Sequence, residues 1–324
     1  MNADSGLRPL GKTNMMVTPI GLGCWQFSRQ NNMAGKFWPK LDHDLINKIV
    51  SLSLDGGINW FDTAEIYGKG TSEAALSGAL EAAGKKPGDV LIATKWWPAL
   101  RSASNISKTI HERLTALQPF PVDLYQIHQP YGFSSEKNEM KMMAKLVEKN
   151  LIKYVGVSNF SAKRMKNAWE TLNKAGLPLA SNQVQYNLLN RKIESDGTLE
   201  TAKDLGISII AYSPLAQGLL TGKFHDNPAL LKNIGMRKYT PLFKREGLEK
   251  SLPVINTVKE LAAKYGVTTS QIALNWVINF HGENIVAIPG ATKEFHVKQN
   301  IGTMSFVLSP EDMDRLDRVS AVFK

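Results

Sequence analysis

Four residues that can transfer protons are spaced so that each follows a short apolar run typical of a buried strand. Asp62, Lys95 and His128 each end such a run, and Tyr67 follows Asp62 in the segment after the first of these runs. The carboxyl ends of neighbouring parallel strands meet on one face of a sheet or barrel. We therefore predict that the four side chains lie together.

Together these four side chains would make a proton-donating site. A tyrosine is a poor acid near neutral pH, since its unperturbed pKa is about 10. A lysine cation beside the phenol favours the phenolate, so Lys95 is predicted to lower the pKa of Tyr67. Asp62 would hold the ammonium in place, and His128 would share the proton of the phenol.

Length, composition and cysteine usage limit the class of protein. The chain has 324 residues, of which 43% are hydrophobic. Size alone favours two domains, but one barrel of this length is ordinary, and we predict a single domain over residues 1–324. No apolar stretch approaches the roughly 18 residues of a membrane span, and the first residues lack the pattern of a secretory signal. The single cysteine, Cys24, cannot form an internal disulfide, which favours a reducing compartment and a cytoplasmic location.

The net charge of +10 does not indicate a nucleic-acid partner, because the basic residues are spread along the chain without a recognised binding motif. Most of the excess fits a solvated basic surface. A basic mouth would also attract the phosphates of a dinucleotide. We expect a small-molecule partner, and no nucleic acid, membrane or metal.

Strand-like and helix-like patterns alternate along the chain. Eight such alternations predict an α/β fold with a parallel sheet that closes as a (β/α)8 barrel. Residues 8–19, which contain two prolines, are predicted to form an N-terminal β-hairpin, and residues 214–253 show no clear period. Strands are predicted over residues 20–23, 59–62, 90–95, 124–128, 153–157, 182–186, 208–212 and 284–288. Helices are predicted over residues 44–54, 72–82, 104–117, 137–149, 161–172, 199–204 and 252–265.

A doubly wound dinucleotide-binding fold would require a Gly-x-Gly-x-x-Gly turn after the first strand. Gly21 and Gly23 are followed by Cys24, Trp25 and Gln26, so the third glycine is missing. This spacing argues against a Rossmann cofactor site.

Eight short motifs occur in order, most of them at predicted strand ends. They are LGKT at 10–13, GINWFDTAEIYG at 57–68, ATK at 93–95, DLYQIH at 123–128, GVSNF at 156–160, QVQYN at 183–187, AYSPL at 211–215 and IPGA at 288–291. In this order they resemble the aldo-keto reductases over nearly the whole chain. The short C-terminal tail is more similar to the branch that holds bacterial and plant reductases and the potassium-channel β-subunits.

The resemblance implies a (β/α)8 barrel that binds NADPH or NADP+ without a Rossmann domain. It implies that Tyr67 is the general acid, which protonates a carbonyl oxygen as hydride reaches the carbonyl carbon. Lys95 and Asp62 match the pair that depresses the pKa of this tyrosine, and His128 matches the residue that orients the carbonyl.

The resemblance also implies the cofactor contacts. Polar side chains after two strands would bind the nicotinamide amide, Tyr212 would stack on its ring, and the loop after Tyr212 would follow the pyrophosphate. The predicted cofactor-binding residues are Gly23, Cys24, Trp25, Asp62, Ser158, Asn159, Gln183, Tyr212, Ser213, Pro214, Leu215, Gln217, Gly218, Lys223, Ile288, Gly290, Thr292, Lys293, Gln299 and Asn300.

The chain departs from the family near the predicted helix at residues 294–301. Many NADPH-preferring members place arginine there, whereas this chain offers Lys293, His296 and Lys298. Lysine is a point charge where arginine gives a bidentate fork, and we predict a preference for NADPH over NADH.

The substrate pocket is predicted to have an aromatic wall, because several large rings follow the catalytic strand ends. An aromatic wall suits flat or apolar carbonyl compounds. The predicted pocket residues are Trp25, Tyr67, Trp96, Trp97, His128 and Tyr131.

The sequence therefore predicts an NADPH-dependent reductase of aldehydes or ketones. One alternative is a cofactor-bound regulatory subunit with little turnover, because channel β-subunits keep the same four residues. A second is a barrel hydrolase that uses Asp62 and Glu65. The physiological substrate, the reaction direction and the oligomeric state stay open at this point.

Overall fold

The computed structural model describes residues 6–28 and 41–324. Two short antiparallel strands, β1 (Arg8–Pro9) and β2 (Met16–Val17), form the predicted hairpin. Eight further strands then pair in chain order, and every pair is parallel. These strands are β3 (Leu22–Gly23), β4 (Trp60–Asp62), β5 (Leu91–Trp96), β6 (Leu124–Ile127), β7 (Tyr154–Ser158), β8 (Leu179–Gln185), β9 (Ser208–Tyr212) and β10 (Ile285–Ala287).

The first and last strands of this sheet meet, so the sheet closes. Parallel bridges join Ile20 to Ala287 and Gly23 to Gly290. Gly21 N–H donates to the carbonyl of Ala287 at 2.9 Å, and Gly23 N–H donates to the carbonyl of Pro289 at 3.2 Å. The predicted (β/α)8 barrel is therefore confirmed, and every predicted strand corresponds to an observed one.

The hairpin packs against the amino-terminal end of the barrel interior. Leu10 and Val17 are fully buried in a cluster that includes Trp60 of β4 and Leu124 of β6. The indole N–H of Trp60 also donates to the carbonyl of Thr18 at 2.9 Å. Apolar contact and this hydrogen bond together fix the hairpin to the barrel.

Helices α1 to α9 lie between successive strands, and α10 and α11 follow the last strand. Several helices begin at a residue whose side chain accepts a backbone N–H. Asp42 accepts from Leu45, Ser135 accepts from Asn138, and Thr268 forms a capping box with Gln271. The helices are α1 (His43–Asp55), α2 (Thr71–Ala82), α3 (Ser104–Leu117), α4 (Glu136–Glu148), α5 (Ala162–Asn173), α6 (Thr198–Leu205), α7 (Lys223–Asp226), α8 (Arg245–Tyr265), α9 (Thr269–Asn279), α10 (Glu294–Gly302) and α11 (Pro310–Ser320).

Four of these helices differ from the sequence-based predictions, and the short α7 is one of them. Helix α9 was not predicted because nearly all its side chains are buried, so it shows no amphipathic period. Helix α11 was also missed. Helix α8 starts at Arg245 rather than at residue 252, because it accommodates Pro253 in its interior, where proline usually ends a helix.

The segment without a clear period forms short 3-10 turns around α7. Three non-glycine residues near its start, Ser213, Ala216 and Gln217, have positive φ angles of 48°, 47° and 55°. Such angles are costly for residues with a Cβ and cluster where a ligand is held. Within the two described ranges, no helix is long and apolar enough to cross a membrane.

Arg191 joins the C-terminal helix to the barrel. Its guanidinium is fully buried, pairs with Glu194 at 2.6 Å and with Asp317 of α11, and donates to Ser320 at 2.8 Å. Its Cζ lies 4.8 Å from the centroid of the Trp276 ring. One buried side chain thus ties α11 to the segment after β8.

Replacing Arg191 by methionine should destabilise the protein, because Glu194 would keep its charge in a buried position. Removing one partner of a buried pair typically costs about 3–5 kcal/mol, which urea unfolding would measure. Arg245→Met is the matched control, because its pair with Glu249 is exposed and should change stability by less than about 1 kcal/mol. Equal effects of the two substitutions would contradict a structural role of Arg191.

Candidate active site

The four predicted catalytic residues come together at the carboxyl end of the barrel. Asp62 ends β4, Lys95 lies one residue before the end of β5, and His128 directly follows β6. The ammonium of Lys95 donates to Asp62 Oδ1 at 2.5 Å and to the carbonyl of Thr63 at 2.8 Å. Lys95 is 0% exposed and Asp62 is 1% exposed, so this ion pair is shielded from solvent.

The turn after β4 carries Tyr67 above this pair. The Tyr67 N–H donates to the carbonyl of Ala64 at 3.0 Å, and Ser72 N–H donates to the carbonyl of Tyr67 at 3.2 Å. The ammonium of Lys95 lies 5.1 Å from the centroid of the phenol ring. The His128 ring meets the phenol edge-on, with centroids 5.7 Å apart.

The second oxygen of Asp62 is held by two amides. Gln183 donates to Oδ2 at 2.8 Å, and Gln126 of β6 donates to it at 3.3 Å. Gln126 was not predicted as a site residue, although its place two residues before His128 points it to the same side of the strand. The carboxylate therefore connects β4 with β5, β6 and β8.

The predicted direction of the Tyr67 pKa is wrong. Burial raises the pKa of Tyr67 well above its usual range, and the negative charge of Asp62 raises it further. Because the carboxylate of Asp62 offsets the ammonium of Lys95, the lysine does not overcome the loss of solvent. Tyr67 therefore keeps its proton at neutral pH.

The other two ionisable groups are also shifted by burial. Burial lowers the pKa of Lys95, and the contact with Asp62 opposes that shift. Burial lowers the pKa of His128 well below its usual value of 6.5, and Lys95 lowers it further. His128 is thus a neutral imidazole, and the site combines a protonated phenol with a neutral hydrogen-bonding ring.

A cavity of about 1490 Å³ extends from these residues across the strand ends to α10. Every residue predicted to bind the cofactor lies on its wall. Near the catalytic end, the hydroxyl of Tyr212 donates to Asn159 Oδ1 at 3.0 Å. The hydroxyl of Ser158 donates to the carbonyl of Gln183 at 2.8 Å. The predicted nicotinamide contacts therefore form one connected wall.

The far end of the cavity is cationic. Lys223, Arg237, Lys293 and His296 line it, and Asp62 is the only carboxylate among the described lining residues. Burial, Arg237 and Lys293 lower the pKa of Lys223. Burial and the two lysines lower the pKa of His296 to about 4. His296 is therefore neutral near pH 7, and the positive charge of this end comes from Lys223, Arg237 and Lys293. These neighbouring cations favour an anionic ligand between them.

Unpartnered polar atoms show which chemical groups the cavity accepts. Among the described residues, Gln26 Oε1, Gln217 Oε1 and Asn300 Nδ2 are buried without a hydrogen-bond partner, and these three residues line the cavity. Buried polar atoms normally have partners. Amide acceptors, an amide donor and a cationic end together fit a nicotinamide dinucleotide. Asn300 and Gln299 would hold its adenine, Lys223 its pyrophosphate and Lys293 the additional phosphate of NADPH.

The predicted aromatic wall is only partly correct. Trp25, Tyr67, Trp97 and His128 line the cavity. The prediction for Trp96 is wrong, because this side chain is fully buried and its indole N–H donates to Asn105 at 3.0 Å. Successive side chains of a strand point to opposite faces, so Trp96 points outward where Lys95 points inward.

Two further residues lie outside the cavity wall. Tyr131 is 51% exposed and packs edge-on against Trp97 at 5.8 Å, at the rim. Lys298 is exposed on α10 and does not line the cavity. Conversely, Gln26 and residues 268–270 at the start of α9 line the cavity and were missed. The Thr268–Gln271 capping pattern was the local clue to that helix start.

Comparison with known proteins agrees with this geometry. The sequence matches the model of the aldo/keto reductase family over residues 19–321. It is 34% identical over 311 residues to an uncharacterized oxidoreductase of Mycobacterium tuberculosis, covering 95% of this chain and 91% of the relative. It is 30% identical over 317 residues to the chloroplastic pyridoxal reductase of Arabidopsis thaliana, covering 94% of this chain and 83% of that relative.

A solved structure gives the same result for the fold. An aldo/keto reductase from Klebsiella pneumoniae in complex with NADP and acetate aligns with a TM-score of 0.74 and 26% identity. The alignment covers 97% of this chain and 95% of that chain.

The neutral state of His128 can be tested through the pH dependence of stability. The unfolded chain binds the imidazole proton near pH 6.5, whereas the folded protein binds it only well below that pH. The stability that this difference contributes is complete above pH 6.5 and is lost as the pH falls. Between about pH 6.5 and pH 5.5, wild type should lose about 1 kcal/mol more unfolding free energy than His128→Gln. Equal losses in urea unfolding would contradict a neutral buried ring.

Proposed function

Because the chain belongs to the aldo/keto reductase family, we propose that it is an NADPH-dependent enzyme that reduces aldehydes or ketones to alcohols. The observation that carries the proposal is the buried Lys95–Asp62 pair beneath Tyr67, at one end of a cavity whose other end is cationic. A barrel hydrolase built on Asp62 and Glu65 is disfavoured, since Lys95 and two glutamines occupy both oxygens of Asp62.

In the proposed reaction Tyr67 donates its proton to the substrate oxygen. When bound, NADPH supplies the hydride for the carbonyl carbon. The ammonium of Lys95, 5.1 Å from the phenol centroid, stabilises the phenolate that remains after proton transfer. A tyrosine that is protonated before the proton transfer, and whose anion is stabilised afterwards, can serve as a general acid.

The remaining catalytic residues orient these groups. Asp62 fixes the lysine, and Gln183 and Gln126 fix Asp62. The neutral ring of His128 lies beside the phenol, where it can donate a hydrogen bond to the same substrate oxygen without bringing a second positive charge. Trp25 and Trp97 supply apolar wall, which suits flat or apolar carbonyl compounds.

The cofactor preference is proposed from the cationic end of the cavity. Lys223, Lys293 and His296 face the same space, and NADPH carries one phosphate more than NADH. Arg237, in the segment of short turns, donates to the carbonyl of Gln217 at 3.0 Å and also lines the cavity. This segment would therefore hold the pyrophosphate in place. The cytoplasmic location and the single-domain organisation stay predictions.

Tyr67→Phe should lower the rate of carbonyl reduction by about 10²–10⁴-fold, because it removes the transferable proton while keeping the ring. NADPH consumption would be followed with 4-nitrobenzaldehyde, methylglyoxal and pyridoxal, the last because an Arabidopsis relative is a pyridoxal reductase. Cofactor affinity should stay within about twofold of wild type.

Tyr154→Phe is the matched control for this substitution, because that hydroxyl contacts Asn14 of the hairpin, away from the cavity. Undiminished turnover by Tyr67→Phe would refute the assigned acid. Absence of turnover by wild type on a broad carbonyl panel, with NADPH still bound, would instead favour the regulatory alternative.

Lys293→Ala should weaken NADPH binding about tenfold, the usual effect of losing one charge-assisted hydrogen bond. NADH binding should change by less than about twofold, since NADH lacks the additional phosphate. Lys298 lies on α10, the helix that begins after Lys293, but outside the cavity, so Lys298→Ala should change neither affinity. Fluorescence titration with NADPH and NADH measures both affinities. If wild type binds NADH more tightly than NADPH, the proposed cofactor preference is wrong.

A further inference from the structure

A charged network lies behind the site and is not used by the mechanism above. Its centre is Glu65, two residues before Tyr67 and 7% exposed. One carboxylate oxygen pairs with Arg101 at 2.5 Å and with Arg113 at 3.6 Å. The other accepts the backbone N–H of Trp97 at 3.1 Å. Glu65 thus connects the loop that carries the acid to the loop that follows β5.

The network is anchored from a second side. Arg113 of α3 is 3% exposed, and its Nε lies 3.1 Å from Glu73 Oε2 of α2. Glu73 Oε1 accepts from the hydroxyl of Thr94 in β5 at 2.6 Å. Arg113 is buried, so its positive charge lies beside Glu65 from the side of the helices.

Trp97 is the link from this network to the reacting groups. Its ring meets the ring of His128 edge-on, with centroids 5.2 Å apart. His128 Nδ1 is buried and has no hydrogen-bond partner among the described residues. The orientation of the imidazole therefore depends on packing against two rings, those of Tyr67 and Trp97.

We propose that Glu65 is a positioning residue for the reaction, which holds Trp97 by its backbone N–H and through Trp97 keeps the His128 ring aligned beside Tyr67. The inference rests on the proposed function. Glu65 does not line the cavity, so it acts on the turnover number and not on cofactor affinity. Small displacements of a positioned group can change a rate by one or two orders of magnitude.

A double-mutant cycle between positions 65 and 97 tests this link. Glu65→Gln should lower kcat for 4-nitrobenzaldehyde about tenfold and leave the NADPH affinity within about twofold. In a Trp97→Ala background the same substitution should have no further effect, because the link is already cut. If the double variant instead loses kcat by the product of the two single-variant losses, the proposal is overturned.

Two further variants separate positioning from stability. The side chain of Arg101 is 33% exposed, so Arg101→Met leaves Glu65 paired with Arg113 and the fold intact. We expect a smaller loss of kcat that also disappears in the Trp97→Ala background. Glu194→Gln removes another buried glutamate with an arginine partner, at the C-terminal helix, and should not be coupled to Trp97. If Glu194→Gln is coupled to Trp97→Ala as strongly as Glu65→Gln is, the proposal is overturned.

A readout without turnover distinguishes failure of this inference from failure of the proposed function. In protein with isotope-labelled histidine, the ring resonances of His128, assigned with His128→Gln, should shift in Glu65→Gln and not in Glu194→Gln. Unchanged His128 resonances in Glu65→Gln would reject the positioning role, whether or not the protein reduces carbonyl compounds. If wild type does not reduce carbonyl compounds but the His128 resonances still shift in Glu65→Gln, only the proposed function is rejected.

Discussion

The buried ion pair of Lys95 and Asp62 is the interaction on which the site depends. Removing two charges from water costs several kcal/mol for each ion, and only good geometry with additional hydrogen bonds offsets that cost. Here the additional bonds come from Thr63, Gln126 and Gln183. Thr63 lies in the turn after β4, Gln126 in β6 and Gln183 in β8, so the pair is satisfied only when the barrel is assembled. The proton site and the fold therefore stabilise one another.

The same pair also determines how charge is distributed along the cavity. It neutralises the single carboxylate among the described lining residues and keeps the catalytic end close to electrically neutral. At this end, burial of Tyr67 raises the pKa of its phenol and burial of His128 lowers the pKa of its imidazole, so both rings are uncharged. At the far end the lysines have no such partner on the described wall, so the potential becomes positive. One elongated anionic cofactor would experience both environments along its length.

Much of this could be predicted from the sequence, for physical reasons. Strand ends could be located because apolar runs stop at polar residues, and those ends brought Asp62, Lys95 and His128 together as expected. The direction of the Tyr67 pKa could not be predicted, because it depends on burial and on how far Asp62 offsets Lys95. Neither quantity is visible in the order of the residues.

The other errors also have physical causes. The pocket prediction for Trp96 is wrong because side chains alternate along β5, which turns Trp96 away from the barrel interior. Helix α9 was missed because a helix buried on all sides has no polar face to give it a period. The early start of α8 was missed because Pro253 is tolerated inside it. In each case the surroundings of a segment, rather than its own composition, decided the outcome.

Strand β5 places neighbouring residues on opposite sides of the barrel wall. Thr94 faces the helices, where it bonds to Glu73, and Lys95 faces the interior, where it bonds to Asp62. A rotation or slip of this strand would disturb both contacts at once. We therefore expect substitutions in the outer helical layer at Glu73 to be coupled energetically to substitutions at the reaction centre.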